Sequence, residues 1–230
     1  MNKLLFAIAF MMLPLVSGAQ VSVVWYSPNI VHVIKTDKAD YKSPTDVVLP
    51  SAHRYDKYIK PAFKVEVQAG LVCFYSPKGE LLTKESTTAD KNACAWTLEA
   101  DEAIYGLGIL QNGKMSQRGI DRDLCPGNTE DGITFFQSVK GYGIFWDNYS
   151  PTLINDDGTE LRLESEVAEE IDYYFIYGGD ADGVISAVRQ LTGKVPMLPL
   201  WTYGFHQSRE RYKSQEEMLN VVRGYRAAGV

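Results

Sequence analysis

At 230 residues, 45% hydrophobic and 23% charged, the chain has the makeup of a soluble globular protein, long enough for one large domain or one domain and part of another. Its formal charge of −6 and lack of any basic run exclude nucleic acid and anionic membrane surfaces as partners. Cys73, Cys94 and Cys125 are too few and odd in number for a disulfide scaffold, leaving room for one bridge at most. With His32, His53 and His206 they show no metal-ligand spacing, so no metal site and no cofactor is expected.

The chain opens with Lys3, an apolar run over residues 4–16 and the small residues Ser17-Gly18-Ala19. That run is shorter than the roughly 20 residues a membrane span needs, and its flanks are those of a cleaved leader. Residues 1–19 are therefore expected to be a signal peptide. The mature protein is then exported to the periplasm, cell surface or medium, with no membrane insertion after cleavage.

Residues 21–177 read as strands and turns. Residues 21–26 and 30–35 are β-branched and aromatic, separated by Ser27-Pro28-Asn29; residues 63–68 alternate apolar and polar, the period of a half-buried strand. Ala69-Gly70 turns into residues 71–75, and Pro77-Lys78-Gly79 into a short strand over 80–82. Residues 133–139 and 142–146 flank Lys140-Gly141 as a hairpin, and residues 171–177 form a last apolar strand. Residues 36–60 are polar and read as an exposed excursion. Short strands with Gly and Pro punctuation specify an antiparallel sandwich.

The pattern changes at Gly178-Gly179-Asp180. Asp180 or Asp182 caps a helix whose apolar positions are Val184, Ile185, Val188 and Leu191, ended by Gly193. Residues 198–205 read as an apolar strand, and Ser214 with Glu217 forms a capping box for a second helix with a buried stripe at Met218, Val221, Val222 and Tyr225. This is one parallel-type βα unit, although residues 198–230 also read as an appendage packed on the sandwich.

Residues 173–212, YYFIYGGDADGVISAVRQLTGKVPMLPLWTYGFHQSRERY, resemble family 31 glycoside hydrolases where a galactose-mutarotase-like sandwich joins a (β/α)8 barrel. Thr192, Gly193, Pro196, Pro199 and Trp201 fill that family's TGxxPxxPxW pattern. IYGLG at 104–108 and FFQSVKGYGIFWDN at 135–148 agree in the same order, whereas residues 20–99 match only in general character. The resemblance implies a mainly β fold with a sandwich over 20–178, a linker helix over 179–197 and the truncated start of a TIM barrel over 198–230. It implies a retaining exo-glycosidase of the α-glucosidase or α-xylosidase type, acting on oligosaccharides. Such enzymes set two carboxyl groups about 5–5.5 Å apart, one a nucleophile and one an acid kept protonated by its surroundings. In the family both lie on later barrel strands, so no catalytic residue is expected here and these residues alone are expected to be inactive.

What the resemblance assigns to this chain is substrate contact. Asp123 follows Arg122 just before Pro126-Gly127, in a loop region (111–132) that reaches the barrel mouth in relatives. A carboxylate there accepts hydrogen bonds from adjacent sugar hydroxyls; the alternative is a solvated aspartate paired with Arg122 or Arg118. Phe205 and His206 fall at the C-terminal end of the first barrel strand, where this barrel keeps its active sites. His206 reads first as a hydrogen-bonded structural histidine and second as a substrate contact, and Arg209 and Arg211 with Glu210 as a surface ion-pair cluster. Two other classes stand beside the enzyme reading: a non-catalytic carbohydrate-binding sandwich, and a mutarotase-like epimerase, for which His32 and His53 offer no convincing acid/base arrangement.

Overall fold

The computed structural model describes residues 20–43, 45–49, 60–86 and 91–230. The expected signal peptide and His53 lie outside the described residues. The chain forms two compact units, one ending at Lys194 and the other spanning Val195–Val230.

In the first unit a six-stranded antiparallel sheet runs in the order β1 (Gln20–Ser27), β2 (Ile30–Thr36), β13 (Ile171–Tyr177), β10 (Tyr142–Trp146), β9 (Asp131–Ser138), β7 (Ile104–Ile109). Two smaller antiparallel sheets accompany it. One has three strands, β3 (Lys64–Gln68), β4 (Leu71–Tyr75) and β5 (Leu81–Lys84). The other has four, ordered β6 (Ala93–Thr97), β12 (Glu160–Ser165), β11 (Thr152–Asp156), β8 (Asp121–Leu124). A bridge between Glu85 and Trp96 joins the smaller sheets edge to edge. The mainly β, antiparallel architecture is the one the sequence specifies.

Alternation along β13 shows how the layers divide. Ile171, Tyr173 and Phe175 enter the core shared by the sheets, while Tyr174 and Ile176 face the other way, into a second cluster with Tyr26 and Ile30. The main core is aromatic: Phe74 stacks on Phe175 at 3.8 Å, and Trp96 meets Tyr173 edge-on at 5.1 Å. Burying a side chain such as Phe74 or Phe136 is worth about 1.5–3 kcal/mol. The second cluster is roofed by α1 (Ala181–Thr192), which contributes Val184, Ala187 and Leu191. Asp180 is its N-cap, accepting from Gly183 N at 2.7 Å, and Gly193 closes it at φ +90°. Ile185, one of the apolar positions at helical spacing, is exposed; Ala187 takes an inward place.

The IYGLG run is a bulge in β7 where it pairs with β9. Gly106 and Gly108 hold φ of +112° and +98°, and a Cβ on Gly108 would stand 2.0 Å from Asp131 O. Only glycine lets the two backbones approach so closely.

In the second unit, residues 198–205 do not form the expected strand. Leu200–Tyr203 is a 3-10 turn started by Pro199 at φ −60°, with Thr202 N bonded to Pro199 O at 3.0 Å and Gly204 N to Trp201 O at 3.1 Å. A parallel strand needs neighbours to bond with, and Pro196 and Pro199 lack N–H donors, so local turns satisfy the backbone instead. The second helix, α2 (Gln215–Ala227), is present with its cap: Glu217 N donates to Ser214 Oγ at 3.1 Å. Its expected stripe is not buried; Met218 and Val222 are both exposed.

Candidate substrate-binding region

Asp123 sits in a strand rather than a loop. In β8 it pairs with Leu153 of β11, while Ile120 and Leu124 on either side enter the core. The period of two therefore turns Asp121 and Asp123 outward together, onto an open cleft that Asn112 and Lys114 also line. Neither arginine pairs with Asp123. Arg118 binds Asp156 at 2.6 Å and the carbonyls of Glu99, Glu102 and Gly158. Arg122 pairs with Glu130, which helps hold that carboxyl below its usual range together with Gln111 N. Of the alternative reading for Asp123, the solvent exposure holds and the pairing with Arg118 or Arg122 does not. Asp121, not singled out in the sequence, shares its face, and the period-2 register of residues 120–124 was the signal that would have found it.

Phe205 and His206 belong to the second unit. Phe205 packs its ring on Tyr225 at 5.1 Å, and His206 Nε2 stands 2.8 Å from Thr202 O. His206 thus closes its own turn, as the structural alternative has it, and both side chains remain exposed. Arg209 pairs with Glu217 at 2.7 Å, bearing out the surface ion-pair reading for that residue with a partner on α2.

A polar cluster absent from the sequence reading lies on the outer face of the six-stranded sheet. His32, stacked on Tyr174 at 4.0 Å, places Nε2 2.5 Å from Asp172 Oδ1, and Tyr41 OH donates to Asp172 Oδ2 at 3.0 Å. Ser43 and Thr45 both donate to Asp147, Ser43 at 2.7 Å. Burial pushes the Asp147 carboxyl up, against the lowering effect of those two hydroxyls, and Asp172 adds to the rise. These carboxylates tie Tyr41, Ser43 and Thr45 to the sheet. Asn148 likewise spends its side chain on Val167 O and Ser150, and Cys73, Cys94 and Cys125 are all free thiols. Among the described residues no group of three or more His, Cys, Asp or Glu is placed to hold a metal, and no helix is long and apolar enough to cross a membrane.

Set beside known proteins, residues 195–230 match the model of the TIM-barrel domain of glycosyl hydrolases family 31. The chain is 44% identical over 138 residues to an alpha-xylosidase of Saccharolobus solfataricus, covering 56% of this chain and 19% of that protein. It is 26% identical over 212 residues to alpha-glucosidase 2 of Bacillus thermoamyloliquefaciens, covering 83% of this chain and 26% of that one. A family 31 alpha-xylosidase from a soil metagenome, solved in complex with xylose, has the same fold over 93% of this chain and 38% of its own, with a TM-score of 0.74 at 22% identity. The chain thus spans well under half the length of these relatives.

Proposed function

We propose, from the match of residues 195–230 to the family 31 TIM-barrel domain and the similarity to an alpha-xylosidase, that the chain supplies the sandwich and first barrel unit of an exported, retaining α-glycosidase of α-xylosidase or α-glucosidase type. The observation that carries this reading is the coincidence, in one chain, of the alpha-xylosidase similarity with a barrel-domain match that begins where the second compact unit begins, at Val195.

On this reading the sandwich does no bond chemistry. Asp121 and Asp123 present carboxylate oxygens to open solvent from a rigid strand, where they accept paired hydrogen bonds from neighbouring hydroxyls of an oligosaccharide. Phe205 offers an apolar ring, and His206 fixes the turn that carries it. The nucleophile and the acid/base come from barrel residues outside this chain. Export rests on the composition of residues 1–19.

The test is hydrolysis of aryl α-xyloside and aryl α-glucoside by this chain and by the chain extended with its natural downstream sequence. An active extension beside a silent 230-residue chain is the expected result, with the ratio of the two rates assigning the sugar. Turnover by the 230-residue chain itself would place the catalytic pair within it and sink the proposal.

A further inference from the structure

At the Asp172 end of the sheet's outer face is a cavity of about 410 Å³, bounded by residues 38–42 on one side and by residues 146–149 and 167–172 on the other. That volume falls within the range of about 300–1,000 Å³ typical of small-molecule pockets. It lies wholly in the first unit, and its lining shares no residue with the cleft at Asp121 and Asp123.

Three features of the lining point to an occupant. Tyr149 is 76% exposed as a residue at the wall, an arrangement that suits stacking better than packing. Glu170 is 5% exposed; Lys38 Nζ pairs with its Oε1 at 2.8 Å, while its Oε2 finds no hydrogen-bond partner in the protein. A buried carboxylate oxygen without a hydrogen bond costs stability unless a ligand or water satisfies it. Lastly, the lining holds charges of both signs, Lys38 and Lys42 beside Asp40 and Glu169.

That mixture selects the ligand chemistry. An anion would meet five carboxylates, those of Asp40, Asp147, Glu169, Glu170 and Asp172, and a polyamine would meet two ammonium groups. Vicinal hydroxyls donate and accept at once, and a pyranose adds an apolar face for a tyrosine ring. We propose that this cavity is a carbohydrate-binding site for a neutral pyranose unit of an oligosaccharide, with Tyr149 as the stacking platform and Glu170 as the buried hydroxyl acceptor. The choice of ligand class leans on the proposed function; the cavity and its unsatisfied carboxylate oxygen do not.

The experiment is an NMR titration of the isotope-labelled 230-residue chain with methyl α-D-xylopyranoside, methyl α-D-glucopyranoside and isomaltotriose, with spermidine as the cationic probe. Saturable shifts at the amides of residues 147–149 and 168–172 are expected for at least one sugar. Tyr149→Ala and Glu170→Gln should each weaken that binding about tenfold, the loss of one anchor contact, while keeping a dispersed spectrum. The proposal is overturned by no saturable shift with any sugar, by shifts confined to residues 111–132, by tighter binding of spermidine at the same amides, or by sugar affinity untouched in both folded variants. None of these outcomes bears on the α-glycosidase reading, which hydrolysis by the extended chain decides separately.

Discussion

Lys35 is the least conventional residue of the core, and removing its charge tests how the sandwich tolerates it. It lies on β2, two residues past Val33 on the inward face, and its side chain is 2% exposed against 0% for Glu85. Lys35 Nζ donates to Glu85 Oε2 at 2.6 Å and to Gly70 O at 3.1 Å; Glu85 also accepts from Val72 N at 2.6 Å and from Tyr173 OH at 2.8 Å. Taking away one member of such a pair strands the other charge and costs about 3–5 kcal/mol. Lys35→Met keeps the length of the stem, so lost packing is a minor part of its effect. At about 2–4 °C per kcal/mol for a chain of this size, the melting temperature should fall by about 6–20 °C. Glu85→Gln is expected to be costly as well, because it leaves the ammonium unpaired. The double variant Lys35→Met/Glu85→Gln should recover about 2 kcal/mol or more relative to the sum of the singles, since no bare charge remains and the amide still serves Val72 N or Tyr173 OH. Urea unfolding of the four proteins closes the cycle. Additive losses, or a Lys35→Met variant within 1 kcal/mol of the parent (roughly the scale of a surface pair), would refute the idea that this pair acts as a desolvated unit.

Asp147 carries a pH dependence of definite sign. Its folded carboxyl titrates above its ordinary value of 3.8, so its contribution favours the fold at low pH and is lost as pH rises through the raised value. Asp147→Asn should therefore gain on the parent in melting temperature as pH rises from below 3.8 through the raised value; a gap that stays constant with pH refutes this. Gly108→Ala and Gly158→Ala share a φ of +98°, but only the former drives its Cβ to 2.0 Å from backbone, the latter opening on free space. Gly108→Ala should cost about 3 kcal/mol or more and Gly158→Ala about 1; equal shifts of the urea midpoint would deny the close approach its role. If the extended chain hydrolyses the aryl glycosides as proposed, Asp123→Ala should lower its kcat/KM by about tenfold to a hundredfold, the value of one charge-assisted hydrogen bond, and unchanged kinetics would remove Asp123 from the substrate contacts.

Most of the sheet was legible because its strands alternate between Gly and Pro turns. β4, β10 and β13 begin and end where the sequence puts them, and β2 and β3 within a residue. β6 was not legible: in Ala93–Thr97 every residue but the last is buried, so there is no polar beat to mark a period. β12 did carry the signal, Leu161 and Leu163 inward against Arg162 and Glu164, with a turn at Asp157-Gly158 before it. Lys35 illustrates the opposite problem. Its inward place follows from alternation, but nothing local says that a lysine at a strand end will find Glu85 fifty residues away.

The same distinction separates what a segment decides alone from what it needs others to decide. α2 forms although none of its residues is buried, because Ser214 and Glu217 satisfy its first turn from within. Residues 198–205 have the apolar run of a strand, yet Leu200–Tyr203 within them coils into a 3-10 turn, because a strand's hydrogen bonds must come from another strand. Binding regions follow the second rule. Asp123 was found through a neighbouring motif, but the cavity at Tyr149 gathers residues 38–42, 146–149 and 167–172, more than a hundred positions apart at the extremes. Only the pairing of β2 with β13 and of β13 with β10 makes them neighbours. A chemistry distributed in this way has no local spacing to read, and it becomes visible only once the sheet order is known.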